Sequence, residues 1–361
     1  MDTSALDYPL PDAAIAQRPV EPRDAARLLV DRGPDEAPGH RTVADLPDLL
    51  LPGDLVVVND SRVIPARLRL RKVTGGTVEV LLLERHPEGW WEGLVRPSRK
   101  VAPGSLLTPA GGGDLVVEVG GVLSDDGRRR IELRVPEEFT GASAGTDRND
   151  YGAIARHGEV PLPPYIHEPL ADVDRYQTVY ADRPGSVAAP TAGLHLTESV
   201  IAGLTDRGID VVKLDLKVGL GTFRPVTTAR VEDHPMHAER YVIPVETARA
   251  VSLQRERGGR VVAVGTTVVR ALESWAKTGE TEAATDLFIH GDHDFRVVDV
   301  LLTNFHVPRS SLLALVESFV GQRWRHLYAT ALDEGYRFLS FGDAMLLTRA
   351  LSGAAGERSV R

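Results

Sequence analysis

Apolar and polar positions follow two different patterns along the chain. Between about residues 66 and 138, short apolar-rich segments such as residues 78–83, 115–119 and 131–135 are separated by Gly, Pro and Asp turns, which is the pattern of short β-strands. Elsewhere, short apolar runs alternate with longer segments whose apolar residues recur at helical spacing. The predicted strands there are residues 55–58, 211–216, 261–264 and 300–302, and the predicted helices are residues 198–206, 245–256, 267–276 and 311–320.

This alternation predicts an α/β fold that carries a separate β-unit. Strands that alternate with helices are typical of a mostly parallel sheet. We expect a large α/β body of residues 1–65 and 150–361, interrupted by an inserted all-β domain at residues 66–149. Residues 139–151, rich in Thr, Gly, Ser, Asp and Asn, should form the loop that returns to the body. A chain of 361 residues is long enough for two domains and a buried pocket.

The absence of cysteine narrows the chemistry. With no cysteine in the chain, disulfides, thiolate metal sites, iron–sulfur clusters and cysteine nucleophiles are all excluded. The N-terminal segment contains acids and prolines rather than a basic region followed by an apolar one, and no stretch approaches the roughly 18 apolar residues of a membrane span. We therefore expect a cytoplasmic protein that does not bind a membrane.

The net charge of -9 argues against a protein whose whole surface binds nucleic acid, because neutralising phosphates requires many Lys and Arg residues. A negative net charge is compatible with local basic patches. Lys and Arg residues cluster in three short segments, at residues 62–72, 96–100 and 128–130. Each of them also fits the simpler interpretation of solvated strand faces and turns.

The densest polar segment is YQTVYADRPGSVAAPTAGLHLT, at residues 176–197. It contains hardly any bulky apolar residue and so cannot simply fill a core. A glycine such as Gly193 lets a ligand approach the backbone, Thr191 offers a hydroxyl, and His195 can exchange a proton near neutral pH. The alternative is a tight loop in which Thr197 caps the following helix. The residues alone leave both interpretations open.

A second segment places His234, His237 and Glu239 within six residues, after the glycine-rich stretch VGLGTFRPV. Two histidines and a glutamate are typical metal ligands, but a helical pair would be four residues apart, whereas these histidines are three apart with Pro235 between them. Acid–base chemistry or contacts to ribose hydroxyls fit better, and no metal is predicted. The alternative is a surface loop with ordinary exposed histidines.

The junction after residues 261–264 is typical of an anion site. Gly265 and Thr266 there precede a helix that carries Arg270, and the free amides at a helix start attract carboxylate or phosphate. The segment lacks the lysine of a phosphate loop and the three-glycine dinucleotide pattern, so neither ATPase nor nicotinamide-dependent activity is predicted. The same junction is also common in α/β folds without a ligand.

Other polar residues lie where predicted strands end, which is the sheet edge at which α/β proteins bind ligands. An aspartate beside aromatic residues is, in addition, a setting that suits a cation. The residues placed in these ways are Asp60 and Arg62 after residues 55–58, Asn304 and His306 after residues 300–302, and Asp343 beside the aromatic residues at 336–341.

Nine sequence blocks are distributed along the chain between residues 6 and 345. They are LDYPLPDAAIAQRPVEPRDAARLLV, VVNDSRVIPARL, VPLPPYI, YQTVYADRPGSVAAPTAGLHLT, VGLGTFRPV, MHAERY, VGTTVVRALES, LLTNFHVPRSSLL and YRFLSFGDAM. Each block alone is weakly informative, whereas nine in one order are highly specific. Together they resemble the S-adenosylmethionine:tRNA ribosyltransferase-isomerase family of queuosine biosynthesis.

The resemblance implies a fold, a reaction and its partners. It implies an α/β body of partial-barrel character with an inserted β-barrel-like domain, acting as a monomer. It also implies that S-adenosylmethionine donates a ribosyl group to the 7-aminomethyl-7-deazaguanine of a tRNA anticodon loop. The products would be epoxyqueuosine-tRNA, adenine and methionine. No metal and no separate cofactor are expected, since S-adenosylmethionine is a co-substrate.

The implied chemistry requires proton transfer. The sulfonium acidifies the hydrogens on the adjacent ribose carbon, so that a positioned side-chain base can remove one. Opening of the ribose then expels adenine, which leaves more easily when it is protonated. The aminomethyl group attacks, and methionine departs as the epoxide closes. We expect His195 and His237 to transfer these protons and Glu239 to orient one imidazole.

The remaining candidates are expected to bind substrate. Asp60 or Asp343 would balance the sulfonium charge, and Arg62 would meet the methionine carboxylate or an RNA phosphate. The full set of expected binding residues is Asp60, Arg62, Thr191, Gly193, Thr266, Arg270, Asn304, His306 and Asp343.

Several positions depart from the family pattern. Lys217 stands where a histidine usually precedes Val-Gly, Leu196 stands where an aromatic residue is usual, and HGDH replaces a Tyr-Pro-Gly-Tyr-like stretch at residues 290–293. Lysine and histidine differ in proton affinity and in reach. Two alternatives follow: a paralogue that uses S-adenosylmethionine with a different acceptor, and a non-catalytic protein that binds S-adenosylmethionine or RNA.

Overall fold

The computed structural model describes residues 1–135, 146–219 and 226–350. The strands in these ranges are β1 Arg27–Val30, β2 Gly39–Thr42, β3 Leu55–Asn59, β4 Ser61–Val63, β5 Arg67–Lys72, β6 Thr77–Arg85, β7 Trp91–Arg96, β8 Ser105–Pro109, β9 Val116–Val122, β10 Arg129–Arg134, β11 Gly158–Glu159, β12 Arg183–Ser186, β13 Asp210–Leu216, β14 Glu239–Val242, β15 Val261–Val264, β16 Glu282–Thr285, β17 Val300–Asn304 and β18 Ala344–Thr348. The helices are α1 Leu46–Leu49, α2 Thr146–His157, α3 Glu198–Asp206, α4 Val245–Glu256, α5 Thr266–Thr278, α6 Ser311–Val320 and α7 Arg323–Asp333.

Nine strands form the sheet of the body, in the order β16-β14-β13-β3-β15-β17-β18-β1-β2. The central strands β13, β3, β15 and β17 are parallel neighbours, and β18 is parallel to β1. The other four pairs are antiparallel. The prediction of a mostly parallel sheet is therefore right for its centre and wrong for its edges, because a local pattern identifies a strand but not the direction of its neighbours.

The central strands are buried on both faces, which explains their continuous apolar sequence. Every residue of β3 and β15 is buried. Leu55 and Val57 pack into one core together with α5 and α6, whereas Val56 and Val58 pack into the opposite core together with α1 and α3.

Six further strands close into a barrel. Their order is β5-β6-β7-β10-β9-β8, and β8 pairs back with β5. Residues alternate in direction, so Leu68 and Leu70 enter the barrel core while Arg69 and Arg71 are exposed. An α/β body accompanied by a small β-barrel confirms the predicted fold class. The division of the chain at residues 66 and 149 stays a prediction.

The predicted helices of the body coincide with α3, α4, α5 and α6 to within two residues at either end. The loop predicted at residues 139–151 is wrong from residue 146 onward, where α2 begins, because Thr, Asp and Asn are common both in loops and at helix starts. Its first part lies outside the described residues. None of the helices in the described ranges is long and apolar enough to cross a lipid bilayer.

Candidate active site

The candidate site lies at the edge where the parallel strands of the body sheet end. Lys217 and Val218 follow β13, Gly265 follows β15, and Asn304 is the last residue of β17. Because the carboxyl ends of parallel strands meet at one edge, side chains from distant parts of the sequence converge there. Two adjoining cavities open at this edge, called here the main cleft and the inner cavity.

The main cleft separates the body from the outer wall of the barrel. Its free space is about 960 Å³, including the part that is open to solvent. The body side includes Lys217, His237, Glu239 and Arg270. The barrel side consists of Leu83, Glu84, Leu94, Asp126 and Arg128.

The inner cavity adjoins the main cleft at Val218, which lines both. Its free space is about 340 Å³, again including the part that is open to solvent. The structure brings together here four of the residues that the sequence proposed for substrate binding, namely Thr191, Thr266, Asn304 and His306. Gly265 turns the chain from β15 into α5 with a φ of 95°, a conformation that favours glycine.

The polar side chains that line the inner cavity are hydroxyl, amide and imidazole groups. The Thr191 hydroxyl donates to Asn304 Oδ1 at 2.8 Å, and Asn304 Nδ2 donates to the Leu339 carbonyl at 3.2 Å. His306 Nε2 lies 3.0 Å from the Thr303 hydroxyl. Burial lowers the pKa of His306 to about 3, so this ring is neutral at physiological pH and serves as a hydrogen-bonding group rather than as an acid.

Glu239 and Arg270 form a buried ion pair on the wall of the main cleft. Glu239 Oε1 also accepts from the Gly219 amide at 2.9 Å. Arg270 further donates to the Leu287 carbonyl at 3.0 Å and to the Thr285 carbonyl at 3.3 Å. The pair thus joins β14 to α5, and the orientation of an imidazole by Glu239 stays a prediction.

The two histidines proposed as a proton-transfer pair do not share a cavity. His237 is exposed in the main cleft, where Arg128 Nη2 lies 3.1 Å from its Nδ1. A guanidinium only donates, so Nδ1 accepts and the ring proton of a neutral imidazole is on Nε2. His195 is buried elsewhere, with its ring nitrogens 3.0 Å from the Ala192 carbonyl and 2.9 Å from the Gly342 carbonyl. Burial lowers the pKa of His195.

In the part of the chain that the structure describes, four other residues that the sequence proposed for substrate binding do not line either of the two cavities. The Asp343 carboxylate accepts the backbone amides of Arg27 at 3.0 Å and Arg337 at 2.8 Å, which ties two chain segments together. A Cβ on Gly193 would lie 2.2 Å from the Tyr180 hydroxyl oxygen, so close packing accounts for this glycine. The remaining two are Arg62, which is exposed, and Asp60, which is buried.

Asp60 has a carboxylate neighbour that the sequence interpretation missed. Asp215 lies near the end of β13, beside β3. Its side chain is 5% exposed, and that of Asp60 is 3% exposed. In the described part of the chain, Oδ1 of each has no hydrogen-bond partner. Burial raises the pKa of both carboxyls, that of Asp215 to about 6. Lys217 and Arg183, whose Nε is 3.7 Å from Asp60 Oδ2, act in the opposite direction.

Replacement of Asp215 by Asn should therefore stabilise the protein only at higher pH. A carboxyl whose pKa is higher in the folded state binds its proton more tightly there, so the free energy of unfolding falls as pH rises from about 4 to 6. Asp215→Asn removes this loss, and unfolding at pH 8 should require about 1–3 kcal/mol more than in the wild type. At pH 4 the two proteins should differ little.

Urea unfolding at the two pH values measures this difference. Asp210→Asn, at the exposed start of the same strand, is the matched control and should show no such pH dependence. An equal change at pH 4 and pH 8 for Asp215→Asn would contradict the assignment.

Known proteins match this chain over its length. A family described as "Queuosine biosynthesis protein" matches residues 3–347. The S-adenosylmethionine:tRNA ribosyltransferase-isomerase of Rubrobacter xylanophilus is 49% identical over 100% of both chains, and that of Thermus thermophilus is 48% identical over 95% of this chain and 98% of its own. A crystal structure of S-adenosylmethionine tRNA ribosyltransferase from Thermotoga maritima is similar with a TM-score of 0.52 and 38% identity, covering 94% of this chain and 99% of that chain.

Proposed function

The chain belongs to the queuosine biosynthesis protein family, and on that premise we propose that it acts as an S-adenosylmethionine:tRNA ribosyltransferase-isomerase. It transfers and isomerises the ribosyl moiety of S-adenosylmethionine onto the 7-aminomethyl-7-deazaguanine of tRNA, and it releases adenine and methionine. The observation that carries this proposal is the extent of the match, in which a relative of that name is 49% identical over the whole chain. Neither alternative, a different acceptor or a non-catalytic binding protein, gains support from the relatives.

S-adenosylmethionine binds, in this proposal, across the inner cavity and the adjoining part of the main cleft. The Thr191 hydroxyl, the Asn304 amide and the neutral His306 ring suit the hydroxyl groups of a ribose. The amides at the start of α5, beside Thr266, suit the methionine carboxylate. The main cleft is the wider of the two cavities and receives the tRNA base.

Proton transfer is assigned to side chains of the main cleft. His237 removes the proton from the ribose carbon next to the sulfonium with Nδ1, which becomes free to act as a base when its contact with Arg128 is released. The electron pair left on that carbon opens the ring with loss of adenine. Lys217, on the same wall, protonates the leaving adenine. His195 is a positioning residue, because its ring links the Ala192 and Gly342 segments.

We further propose an oligomeric state, a location and a domain organisation for the chain. The chain acts as a monomer in the cytoplasm, where tRNA is located, and uses S-adenosylmethionine as co-substrate without a separate cofactor. Residues 66–149 form an inserted domain that supplies one wall of the cleft. The tRNA contributes its anticodon loop.

Incubation with S-adenosylmethionine labelled in the adenine and in the ribose tests the function. Precursor-bearing tRNA should give adenine release and ribosyl transfer in equal amounts, and tRNA with an unmodified guanine should give no transfer. Adenine release without transfer to precursor-bearing tRNA would contradict the proposed acceptor. Tight binding of S-adenosylmethionine with neither event would contradict the enzymatic proposal.

A further inference from the structure

Basic residues are distributed unevenly between the barrel and the rest of the chain. Residues 66–135 carry 12 Lys and Arg against 9 Asp and Glu, although the whole chain carries 42 against 51. Several of these cations are exposed on the outward face of β5 and β7 and in the turn that follows β7. This basic face consists of Arg69, Arg71, Arg96, Arg99 and Lys100.

Four of the five cations of the basic face differ from those on β10 in their partners, whereas Arg69 pairs with Glu159. On β10, Arg130 pairs with Glu132 at 2.9 Å, and Arg134 pairs with Glu118. A neighbouring carboxylate partly cancels the attraction of a cation for a phosphate, whereas an unpaired cation attracts the phosphate without that opposition. Across the described ranges, no carboxylate lies within 4.0 Å of the side-chain nitrogens of four members of the basic face, Arg71, Arg96, Arg99 and Lys100.

The basic face begins at the rim of the main cleft. Leu94 lines the cleft, and Arg96 lies two residues further along β7 on the same outward side, about 7 Å away. Arg96 is opposite Glu79 of β6, which is opposite Arg69 of β5. Glu79 therefore separates Arg96 from Arg69, which pairs with Glu159 at 3.0 Å. A chain of phosphates that leaves the cleft along the barrel would meet Arg96 first.

We propose that the basic face binds the sugar–phosphate backbone of the tRNA next to the base held in the main cleft. The inference rests on the proposed function, which makes an RNA the occupant of the cleft. Lys and Arg contacts to phosphates position a nucleic acid and supply affinity through counterion release. They carry no sequence information, so base selection remains with the cleft.

A variant with Arg71→Gln, Arg96→Gln, Arg99→Gln and Lys100→Gln tests the proposal. Its affinity for unmodified tRNA should fall on the order of a hundredfold at low salt, and the slope of log affinity against log salt should become shallower by about 3, since each lost phosphate contact removes about 0.7–0.9. Arg130→Gln with Arg134→Gln is the matched control and should keep both values. The affinity for S-adenosylmethionine alone should stay unchanged in both variants.

The proposal would be overturned if the variant with four substitutions kept the wild-type affinity for tRNA and the wild-type salt slope. An equal loss of affinity in the control variant would overturn it as well. A melting temperature within a few degrees of the wild type in both variants shows that they fold. Failure of the proposed function has a separate signature, because the wild type would then form no product from precursor-bearing tRNA while the binding comparison could still be made.

Discussion

Arg270→Met should lower the free energy of unfolding by about 3–5 kcal/mol, because it removes the guanidinium that pairs with the buried Glu239 carboxylate. Both side chains are buried on the wall of the main cleft, so their contact contributes more than an exposed ion pair would. The same change should reduce adenine release on the order of a hundredfold, because the wall formed by β14 and α5 shifts relative to the rest of the site. Urea unfolding and single-turnover adenine release measure the two effects.

A double variant separates the two losses. Adding Glu239→Leu to Arg270→Met replaces the whole ion pair by apolar side chains, so much of the stability should return, whereas activity should stay low. Arg207→Met, which breaks an exposed ion pair with Asp48, is the control and should change stability by less than about 1 kcal/mol. Full activity in the double variant would show that the pair has no part in the site.

His237→Ala should reduce adenine release on the order of a hundredfold at saturating S-adenosylmethionine and tRNA, because the proposed base is lost. The ring is exposed, so the melting temperature should stay close to that of the wild type. His195→Ala should behave in the opposite way, since removing a buried ring that contacts two carbonyls mainly destabilises the fold.

His326→Ala, an exposed histidine on α7, is the control for the loss of a surface imidazole. Both activity and stability should remain close to wild type in that variant. A normal rate of adenine release by His237→Ala would remove this residue from the proposed mechanism and leave Lys217 as the proton-carrying candidate on that wall.

The fold was predictable to the extent that it depends on local pattern. The strand at residues 261–264 and the helices α3, α4 and α6 have the predicted bounds, because apolar spacing and capping residues such as Thr197 act within a few positions. The antiparallel edges of the body sheet were not predictable in this way. They depend on which strands become neighbours in the sheet, and the apolar pattern of a short segment does not determine its neighbour.

The same distinction between local pattern and long-range packing applies to the site. Thr191, Asn304 and His306 converge because strand ends meet at one edge, which the alternation of strands and helices already implied. The pairing of Glu239 with Arg270 spans 31 residues and depends on how β14 packs against α5. Asp215 escaped attention because it lies inside an apolar strand, although Lys217, which acts to lower its pKa, is only two residues further along the chain.

The two walls of the main cleft belong to separate hydrogen-bonded sheets, since the body sheet and the barrel share no strand in the described ranges. A change in the aperture between them therefore breaks side-chain contacts, such as that between Arg128 and His237, and leaves the strand ladders intact. Contacts of this kind cost about 1 kcal/mol each to lose. Admission of a bulky macromolecule consequently requires no local unfolding.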